Sequence, residues 1–382
     1  MNIVIITSLY PGLDPQSKQT KADYYLAKEW VVSGHNVLVV HLESDFVFRK
    51  HEYLRPESFE YEGIAVYHIM YPRFIPRKQH SFAIVESWAY KKIRDYIVEY
   101  GFTNVDLFYC DFPAGNWPII SRLKECDSFK KSKFVPVFNY CDFRSDSYVK
   151  KIVRESSIIG TRSKTQAEWV KSAYNEAKVF VALSGVPVTA YDISEKKVWE
   201  ARKPQNYLYV GDLIPLKNVD ILIQSFYELV KRDGSVKLTI VGDGAEESSL
   251  KELVSNKKLT ENVVFTGRLS RERVIEVMLE NDVFVMASSP ESFGIVYIEA
   301  MSAGCCIVAA KREGIDGVII DGVNGFLVEP RDVDELSRVL LNYAELSNEE
   351  RGKILAQSYT DVQNMSEEAV AKKVLEDIER LS

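Results

Sequence analysis

The sequence predicts an α/β protein with two doubly wound domains that face a cleft. The chain has 382 residues, of which 46% are hydrophobic, and this is enough for two domains that each bury a core. Short apolar runs alternate with amphipathic segments, as strands and helices do in a parallel sheet covered on both faces. A charged segment at residues 189–204, which contains Pro204, is typical of an interdomain linker. These observations predict domains at 1–188 and 205–365, followed by a last helical segment at 366–382.

The first domain begins with a βαβ unit. Apolar strands at Ile3–Thr7 and Val37–Val40 flank an amphipathic helix from about Lys21 to Ser33, which Gly34 closes. The remaining strands of this domain are predicted at Val105–Tyr109, Phe134–Phe138, Ser157–Gly160 and Val179–Ala182, and the further helices at Phe82–Tyr100 and Lys164–Ala173. This order is that of a doubly wound sheet.

Residues 44–81 are crowded with aromatic and basic side chains, among them Phe48, Arg49, Phe74 and Lys78. Two interpretations remain open. Such a segment can hold an acceptor or contact an anionic membrane surface. It can equally be a solvated connection whose aromatic side chains are partly buried.

The second domain continues the alternation of strands and helices. Its strands are predicted at Tyr207–Val210, Lys237–Val241, Val263–Thr266, Val283–Met286 and Cys305–Ala310, and the helices at Val219–Lys231, Gly294–Ala303, Val333–Leu346 and Ser366–Leu381. Gly304 lies where a helix C-terminus favours a residue at positive φ.

The stretch Pro290–Gly304 carries the chemistry that the sequence shows most clearly. A helix that begins at Gly294 and Ile295 leaves backbone N–H groups unpaired, and a phosphate can approach them closely. Glu291 precedes this helix and Glu299 lies inside it, and carboxylates accept paired hydrogen bonds from vicinal hydroxyls. The layout therefore fits a diphosphate with a polyhydroxylated group at each end, which is the shape of a nucleotide sugar.

Each glutamate also has an ordinary explanation. A carboxylate before a helix is common capping chemistry, and a glutamate within a helix is usually a solvated side chain. Glu299 departs from that expectation, because its helix is apolar and lies between two buried strands, where an unpaired carboxylate is costly.

Glu291 and Glu299, with S-F-G-I-V-Y-I-E-A-M-S-A-G, resemble the Glu-x7-Glu signature of glycosyltransferase family 4, whose members are retaining enzymes of the GT-B fold. The resemblance extends from V-G-D-L-I-P-L-K at Val210 to G-V-N-G-F-L-V-E-P at Gly322, and it is much weaker in the N-terminal half. It implies a hexosyltransferase that moves a hexose-type sugar from a nucleoside-diphosphate sugar to a saccharide or lipid-linked acceptor, in bacterial surface polysaccharide biosynthesis. It also implies that the helix at 366–382 packs back on the first domain.

The resemblance assigns roles to particular residues. Glu291 positions sugar hydroxyls, Lys217 stabilises the leaving diphosphate, and both are the catalytic candidates. Glu299 binds the ribose. The other donor-binding candidates are Ser292, Phe293, Gly294, Ile295, Gly211 and Arg268.

Three positions depart from the family pattern. Asp212 stands where the family has an arginine. Three consequences are open: donor binding is weakened, another cation such as Arg268 contributes, or the aspartate turns away from the site. The first loop has S-K-Q-T-K-A in place of paired glycines, which leaves Gly12 as a weak acceptor-side candidate. After the strand Phe134–Phe138 no His-Gly pair occurs, and Asp142 is the nearest polar candidate for that position.

The expected substrate is a nucleotide sugar, linked to UDP rather than GDP, with no metal or other cofactor. The aspartate-rich metal motif of the other main glycosyltransferase fold is not evident in the sequence. The five cysteines lack C-x-x-C spacing and the histidines all precede residue 81, which disfavours structural zinc. G-D-G-A-E-E at Gly242 has Glu247 where a dinucleotide fingerprint requires glycine, which disfavours a nicotinamide-dependent oxidoreductase.

Charge and hydropathy bear on partners and location. Residues 1–190 carry 25 Lys and Arg against 21 Asp and Glu, and residues 191–382 carry 23 against 34. The net charge of −7 disfavours nucleic-acid binding. Either the first half is the one that suits an anionic membrane surface, or the difference in charge between the halves arises by chance. The sequence shows neither a signal peptide nor an apolar run that crosses a bilayer. We therefore expect a cytoplasmic protein, with the inner face of the plasma membrane as a site of peripheral contact.

Two other functional classes remain open. A nucleotide-sugar epimerase would use the same fold without an acceptor, but it needs acid/base residues, which are sparse here. A non-catalytic partner subunit is suggested by Asp212 and the missing His-Gly pair. The sequence names neither the donor base, the sugar, the acceptor nor the linkage.

Overall fold

The computed structural model describes residues 1–11, 21–46, 57–73, 83–139, 146–187 and 202–382. These residues divide into two compact units. The first unit comprises Met1–Gly185 together with Glu367–Ser382, and the second comprises Val186–Ser366.

The first unit is built on an eight-stranded sheet. Its strands are β1 (Asn2–Thr7), β2 (Asn36–Phe46), β3 (Glu57–Tyr61), β4 (Ile64–Arg73), β5 (Leu107–Asp111), β6 (Lys133–Phe138), β7 (Ile158–Thr161) and β8 (Lys178–Val181). The order across the sheet is β3-β4-β2-β1-β5-β6-β7-β8, and only β3 is antiparallel to its neighbour. The helices of this part of the chain are α1 (Ala22–Val32), α2 (Ala83–Glu99), α3 (Pro113–Glu125), α4 (Asp146–Glu155) and α5 (Lys164–Ala173).

The side chains of β1 show that this sheet is covered by protein on both faces. Ile3 and Ile5 pack into the core on one face, and Val4 and Ile6 pack into the core on the other. A strand that is buried on both faces reads as a continuous apolar run, as N-I-V-I-I-T does. The chain order reverses direction between β1 and β5, so the carboxyl ends of these two strands mark the switch point of the first sheet.

The hairpin of β3 and β4 was not predicted within the aromatic and basic segment 44–81. Glu62 and Gly63 form its two-residue turn, and both have positive φ, as a type I′ turn requires. The predicted strand Val105–Tyr109 begins and ends two residues too early, because β5 pairs with β1 from Leu107 onward. Gly12 and Asp142 lie outside the described residues, as does the whole of the segment 74–82.

The second unit has a six-stranded sheet with all neighbours parallel. Its strands are β9 (Asn206–Val210), β10 (Lys237–Val241), β11 (Val263–Gly267), β12 (Val283–Met286), β13 (Cys306–Ala310) and β14 (Phe326–Val328), in the order β11-β10-β9-β12-β13-β14. The remaining helices of the chain are α6 (Val219–Arg232), α7 (Glu247–Asn256), α8 (Arg271–Glu280), α9 (Ile295–Ser302), α10 (Val333–Glu345), α11 (Asn348–Gln363) and α12 (Glu367–Leu381). The switch point of this sheet lies between β9 and β12.

Helix α12 belongs to the first unit although it ends the chain. Val374 and Ile378 are buried in the core that lies between α1 and the sheet. The indole of Trp30 donates a hydrogen bond to the carbonyl of Ala371 at 3.0 Å. Helix α12 therefore packs in the same core as α1 and β1.

Candidate functional site

The candidate site lies at the switch point of the second sheet, where the loops after β9 and β12 meet. The backbone N–H of Ser289 donates to the carbonyl of Leu216 at 2.9 Å. The amide of Asn218 donates to the carbonyl of Ala287 at 2.8 Å. Because the carboxyl ends of parallel strands at a switch point form a ready crevice, these linked loops are where a ligand is expected.

Lys217 and Glu291 form an ion pair between the two loops. The Lys217 Nζ lies 2.6 Å from Glu291 Oε2. The same carboxylate accepts hydrogen bonds from the Ser288 hydroxyl at 3.0 Å and from the backbone N–H of Ser292 at 3.1 Å. The structure thus brings together the two residues that the sequence analysis named as catalytic candidates. Both side chains are mostly buried yet retain some exposure to solvent.

The N-terminus of α9 stands immediately beyond Glu291. Gly294 is the N-cap residue, at φ 74°, and no side chain caps the helix there. A Cβ at this position would lie 2.5 Å from the ring of Tyr297, so the helix start needs glycine for space as well as for its backbone angle. The buried Tyr297 hydroxyl donates to the carbonyl of Met286 at 2.6 Å, which fixes α9 to the end of β12. This helix N-terminus is preorganised for an anion.

Glu299 is paired, which the sequence did not predict. One of its carboxylate oxygens lies 2.6 Å from the guanidinium of Arg271, the first residue of α8. The Arg271 side chain is itself partly exposed. The carboxylate inside the apolar helix is therefore compensated by Arg271.

Asp212 binds Arg268, so that the unusual aspartate is compensated as well. Arg268 donates to Asp212 at 2.7 Å and to Asp243 at 2.6 Å. These hydrogen bonds, from Asp243 first and Asp212 second, raise the pKa of Arg268 above its usual range. Asp212, Asp243 and Arg268 follow three adjacent strands, β9, β10 and β11, and form one partly exposed cluster with two carboxylates and one cation.

Backbone contacts explain why that cluster forms. The N–H of Gly211 donates to the carbonyl of Val241 at 3.0 Å, and the N–H of Gly242 donates to the carbonyl of Gly267 at 2.9 Å. A Cβ on Gly242 would lie 1.9 Å from the Gly211 carbonyl oxygen. The partial glycine fingerprint at 242–244 thus serves close packing of neighbouring loops.

The switch point of the first sheet carries a different set of charges. The guanidinium of Arg162 lies 2.6 Å from Asp23 and 2.9 Å from Asp111. Thr7 donates to Asp23 at 2.6 Å, and Asn139 donates to Asp111 at 2.8 Å. Burial and the neighbouring Asp111 raise the pKa of Asp23 to about 7. The sequence analysis did not single out any of these residues, because they come from separate elements and form no local motif.

The described residues show neither a metal site nor a membrane-spanning helix. In that part of the chain, no group of three or more His, Cys, Asp or Glu side chains is arranged to hold a metal ion. Nor does any helix within the described ranges have the length and apolar character needed to cross a membrane.

Comparison with known proteins gives a consistent result. Residues 192–359 match the family described as glycosyl transferases group 1. An uncharacterised glycosyltransferase of Methanocaldococcus jannaschii is 27% identical over 367 residues, which cover 88% of this chain and 87% of that relative. The solved structure of a glycosyltransferase from Rickettsia africae has a TM-score of 0.72 at 19% identity and covers 100% of this chain and 98% of its own.

A second solved structure, Anabaena HepE in complex with UDP and glucose, has a TM-score of 0.69 at 18% identity. It covers 100% of both chains. The likeness to these structures confirms the predicted GT-B fold class, in which each unit is a Rossmann-like α/β domain.

Proposed function

We propose that this chain, of which residues 192–359 match the group 1 glycosyl transferases, is a retaining enzyme that moves a hexose-type sugar from a nucleoside-diphosphate sugar to a saccharide or lipid-linked acceptor. The observation that carries the proposal is the Lys217–Glu291 pair beside the uncapped N-terminus of α9. A cation, a carboxylate and a helix N-terminus on linked loops are the groups that a diphosphate with an attached sugar requires.

Lys217 and the helix N-terminus would stabilise the leaving group. As the bond between sugar and diphosphate breaks, negative charge grows on the phosphate oxygens. A lysine and backbone N–H groups that are already in place lower the free energy of that charge without reorganisation. Because Lys217 Nζ is held by Glu291 at 2.6 Å, its direction is set before the donor binds.

Glu291 would hold the transferred sugar through its hydroxyls. Its carboxylate is oriented by Lys217, Ser288 and the N–H of Ser292, and carboxylates retain further acceptor positions when they take three hydrogen bonds. Glu299 would bind the ribose from inside α9. The chain at Ser292, Phe293 and Ile295 would line the same pocket.

Arg268 would border the nucleotide base or add positive charge near the phosphates, beside Gly211. Asp212 would act by holding Arg268 in place beside Asp243. The cluster of Asp212, Asp243 and Arg268 stays partly exposed, so a ligand can reach it.

The reaction would need no divalent metal and no cofactor beyond the donor. The positive potential comes from Lys217 and the helix N-terminus, which do for the diphosphate what a metal ion does elsewhere. UDP is the nucleotide to test first, since it was bound in the HepE structure. Cytoplasmic action at the inner face of the plasma membrane, in bacterial surface polysaccharide biosynthesis, completes the proposal and follows from the family resemblance.

The test is release of nucleoside diphosphate from a panel of UDP-, GDP- and ADP-sugars, with a chelator present and no acceptor. We expect slow, metal-independent release from one donor, and the sugar in the products should keep its anomeric configuration when an acceptor is added. Release that requires a divalent cation would contradict the metal-free mechanism. Failure to bind or cleave any nucleotide sugar would contradict the proposed function and favour a non-catalytic subunit.

A further inference from the structure

We propose that Glu313, on the loop after β13, is a positioning residue that fixes the loop carrying Glu291 and thereby sets the rate of sugar transfer. The inference rests on the proposed function of Glu291. Neither the Glu-x7-Glu motif nor the sequence around it includes Glu313, which reaches the site from the loop that follows the neighbouring strand β13.

The Glu313 carboxylate spans the start of the Glu291 loop. One oxygen accepts a hydrogen bond from the Ser289 hydroxyl at 2.6 Å. The other oxygen accepts the backbone N–H of Glu291 at 2.6 Å. Hydrogen bonds to an ionised carboxylate are shorter and stronger than neutral ones, so Glu313 binds the Glu291 loop strongly.

Gly314 fixes the carbonyl group of Glu291. Its N–H donates to the backbone carbonyl of Glu291 at 3.0 Å. A Cβ on Gly314 would lie 2.1 Å from the carbonyl oxygen of Ser292, so the two loops approach as closely as glycine allows. Both the N–H and the carbonyl of Glu291 are thus fixed by residues 313 and 314.

This backbone clamp determines where the Glu291 side chain points. The carboxylate must face Lys217 and the N-terminus of α9 to hold a sugar between them. A displacement of about 1 Å in a catalytic group is enough to cost roughly 100-fold in rate. Glu313 directs both oxygens to the loop, so it acts on the site through Glu291.

The experiment compares Glu313→Ala, Glu313→Gln and Asp316→Asn with wild type. Asp316 is the matched control, because it lies on the same loop and its carboxylate accepts the N–H of Arg312 at 2.6 Å without contacting the Glu291 loop. Three quantities are measured on the full chain: kcat for release of nucleoside diphosphate from the donor found active, affinity for the nucleoside diphosphate, and hydrogen exchange of amides in residues 289–295.

We expect Glu313→Ala to lower kcat by about 10–100-fold while the affinity for nucleoside diphosphate changes by less than about threefold. Glu313→Gln should recover part of kcat, because its amide oxygen still accepts one of the two hydrogen bonds. Exchange of the Glu291 amide should accelerate in Glu313→Ala and stay unchanged in Asp316→Asn.

Three results would overturn the proposal. Unchanged kcat in Glu313→Ala would show that the clamp is not needed. A parallel loss of kcat and affinity, or the same losses in Asp316→Asn, would show a general disturbance of the loop. Unchanged amide exchange would show that Glu313 does not hold the Glu291 backbone. Hydrogen exchange needs no donor, so a wild-type chain that cleaves nothing but shows the predicted exchange would refute the proposed function and leave the structural contact established.

Discussion

The two sheets place charged clusters at the same topological position but expose them differently. At the β1/β5 switch point, the side chains of Arg162, Asp23 and Asp111 are 5%, 1% and 3% exposed. At the β9/β12 switch point, Lys217 and Glu291 are 22% and 12% exposed. The side chains of the first cluster are bound by other protein groups and are almost fully shielded from solvent. Lys217 and Glu291 keep some exposure to solvent, so a ligand can replace the partner of either side chain.

This difference teaches what each cluster contributes. Removing one member of a buried ion pair leaves an uncompensated charge in the protein, which is strongly destabilising. A pair that keeps some contact with water loses less stability when broken, because water solvates part of what remains. The same position in a doubly wound fold therefore serves stability in the first unit and, we propose, donor binding in the second.

The largest expected effect is on stability in the first unit. Arg162→Met should lower its free energy of unfolding by about 3–5 kcal/mol, because Asp23 and Asp111 lose their cation. Urea unfolding followed by tryptophan fluorescence measures this, since four of the five tryptophans lie in that unit. Arg94→Met is the control, because its pair with Asp95 faces solvent. Equal, small losses of unfolding free energy in both variants would contradict the difference between the two clusters.

The next effect is on activity in the second unit. Glu291→Ala should lower the rate of sugar transfer by about 100–1,000-fold, because the sugar loses the group that positions it. Its thermal midpoint should stay within a few degrees of wild type, since the Lys217–Glu291 pair is partly solvated. Glu329→Ala, which removes a solvent-facing carboxylate on the same unit, is the control. Near wild-type turnover in Glu291→Ala would exclude this residue from the mechanism.

A smaller effect is the pH dependence of the first cluster. The pKa of Asp23 is raised to about 7 from its ordinary 3.8, so the folded chain keeps a proton that the unfolded chain releases. The stability linked to this proton is present below about pH 4 and is lost as the pH rises through about 7. Between pH 5 and 7, the unfolding free energy of wild type should fall by roughly 2 kcal/mol more than that of Asp23→Asn. Parallel urea-unfolding profiles for the two proteins would contradict this account.

The local parts of the fold and site were predictable from sequence. The helix Lys164–Ala173 and the strand Lys237–Val241 were predicted with the bounds that the structure has. Gly304 has φ 74°, as its position after the α9 motif predicted. These features depend on neighbours in the chain, so local periodicity and turn chemistry specify them.

Two elements that were not predicted contain short sequences that bear on their formation. The E-G turn at Glu62 is a two-residue hairpin turn, and S-N-E-E at Ser347 is a capping box that begins α11. The capping box alone would have predicted the start of α11, whereas E-G lacks the Asn or Asp that favours a two-residue hairpin turn.

The partners of the site residues were not predictable in the same way. Arg271 meets Glu299, Arg268 meets Asp212, and Glu313 meets the backbone of Glu291. Each contact joins loops or helices that follow different strands, and they meet only when the sheet is assembled. Arg162 and Asp23 are likewise 139 residues apart in the chain. Residue type and spacing do not encode such pairs.

The measurement that tests the central claim most directly is the affinity of Lys217→Ala for a nucleoside diphosphate and for the matching free nucleoside, by titration calorimetry. If the β9/β12 switch point binds the donor diphosphate, the variant should lose about tenfold or more in affinity for the diphosphate and almost none for the nucleoside. Lys237→Ala, at the opposite end of β10, should bind both as wild type does. Equal losses for diphosphate and nucleoside, or no loss for either, would contradict the account.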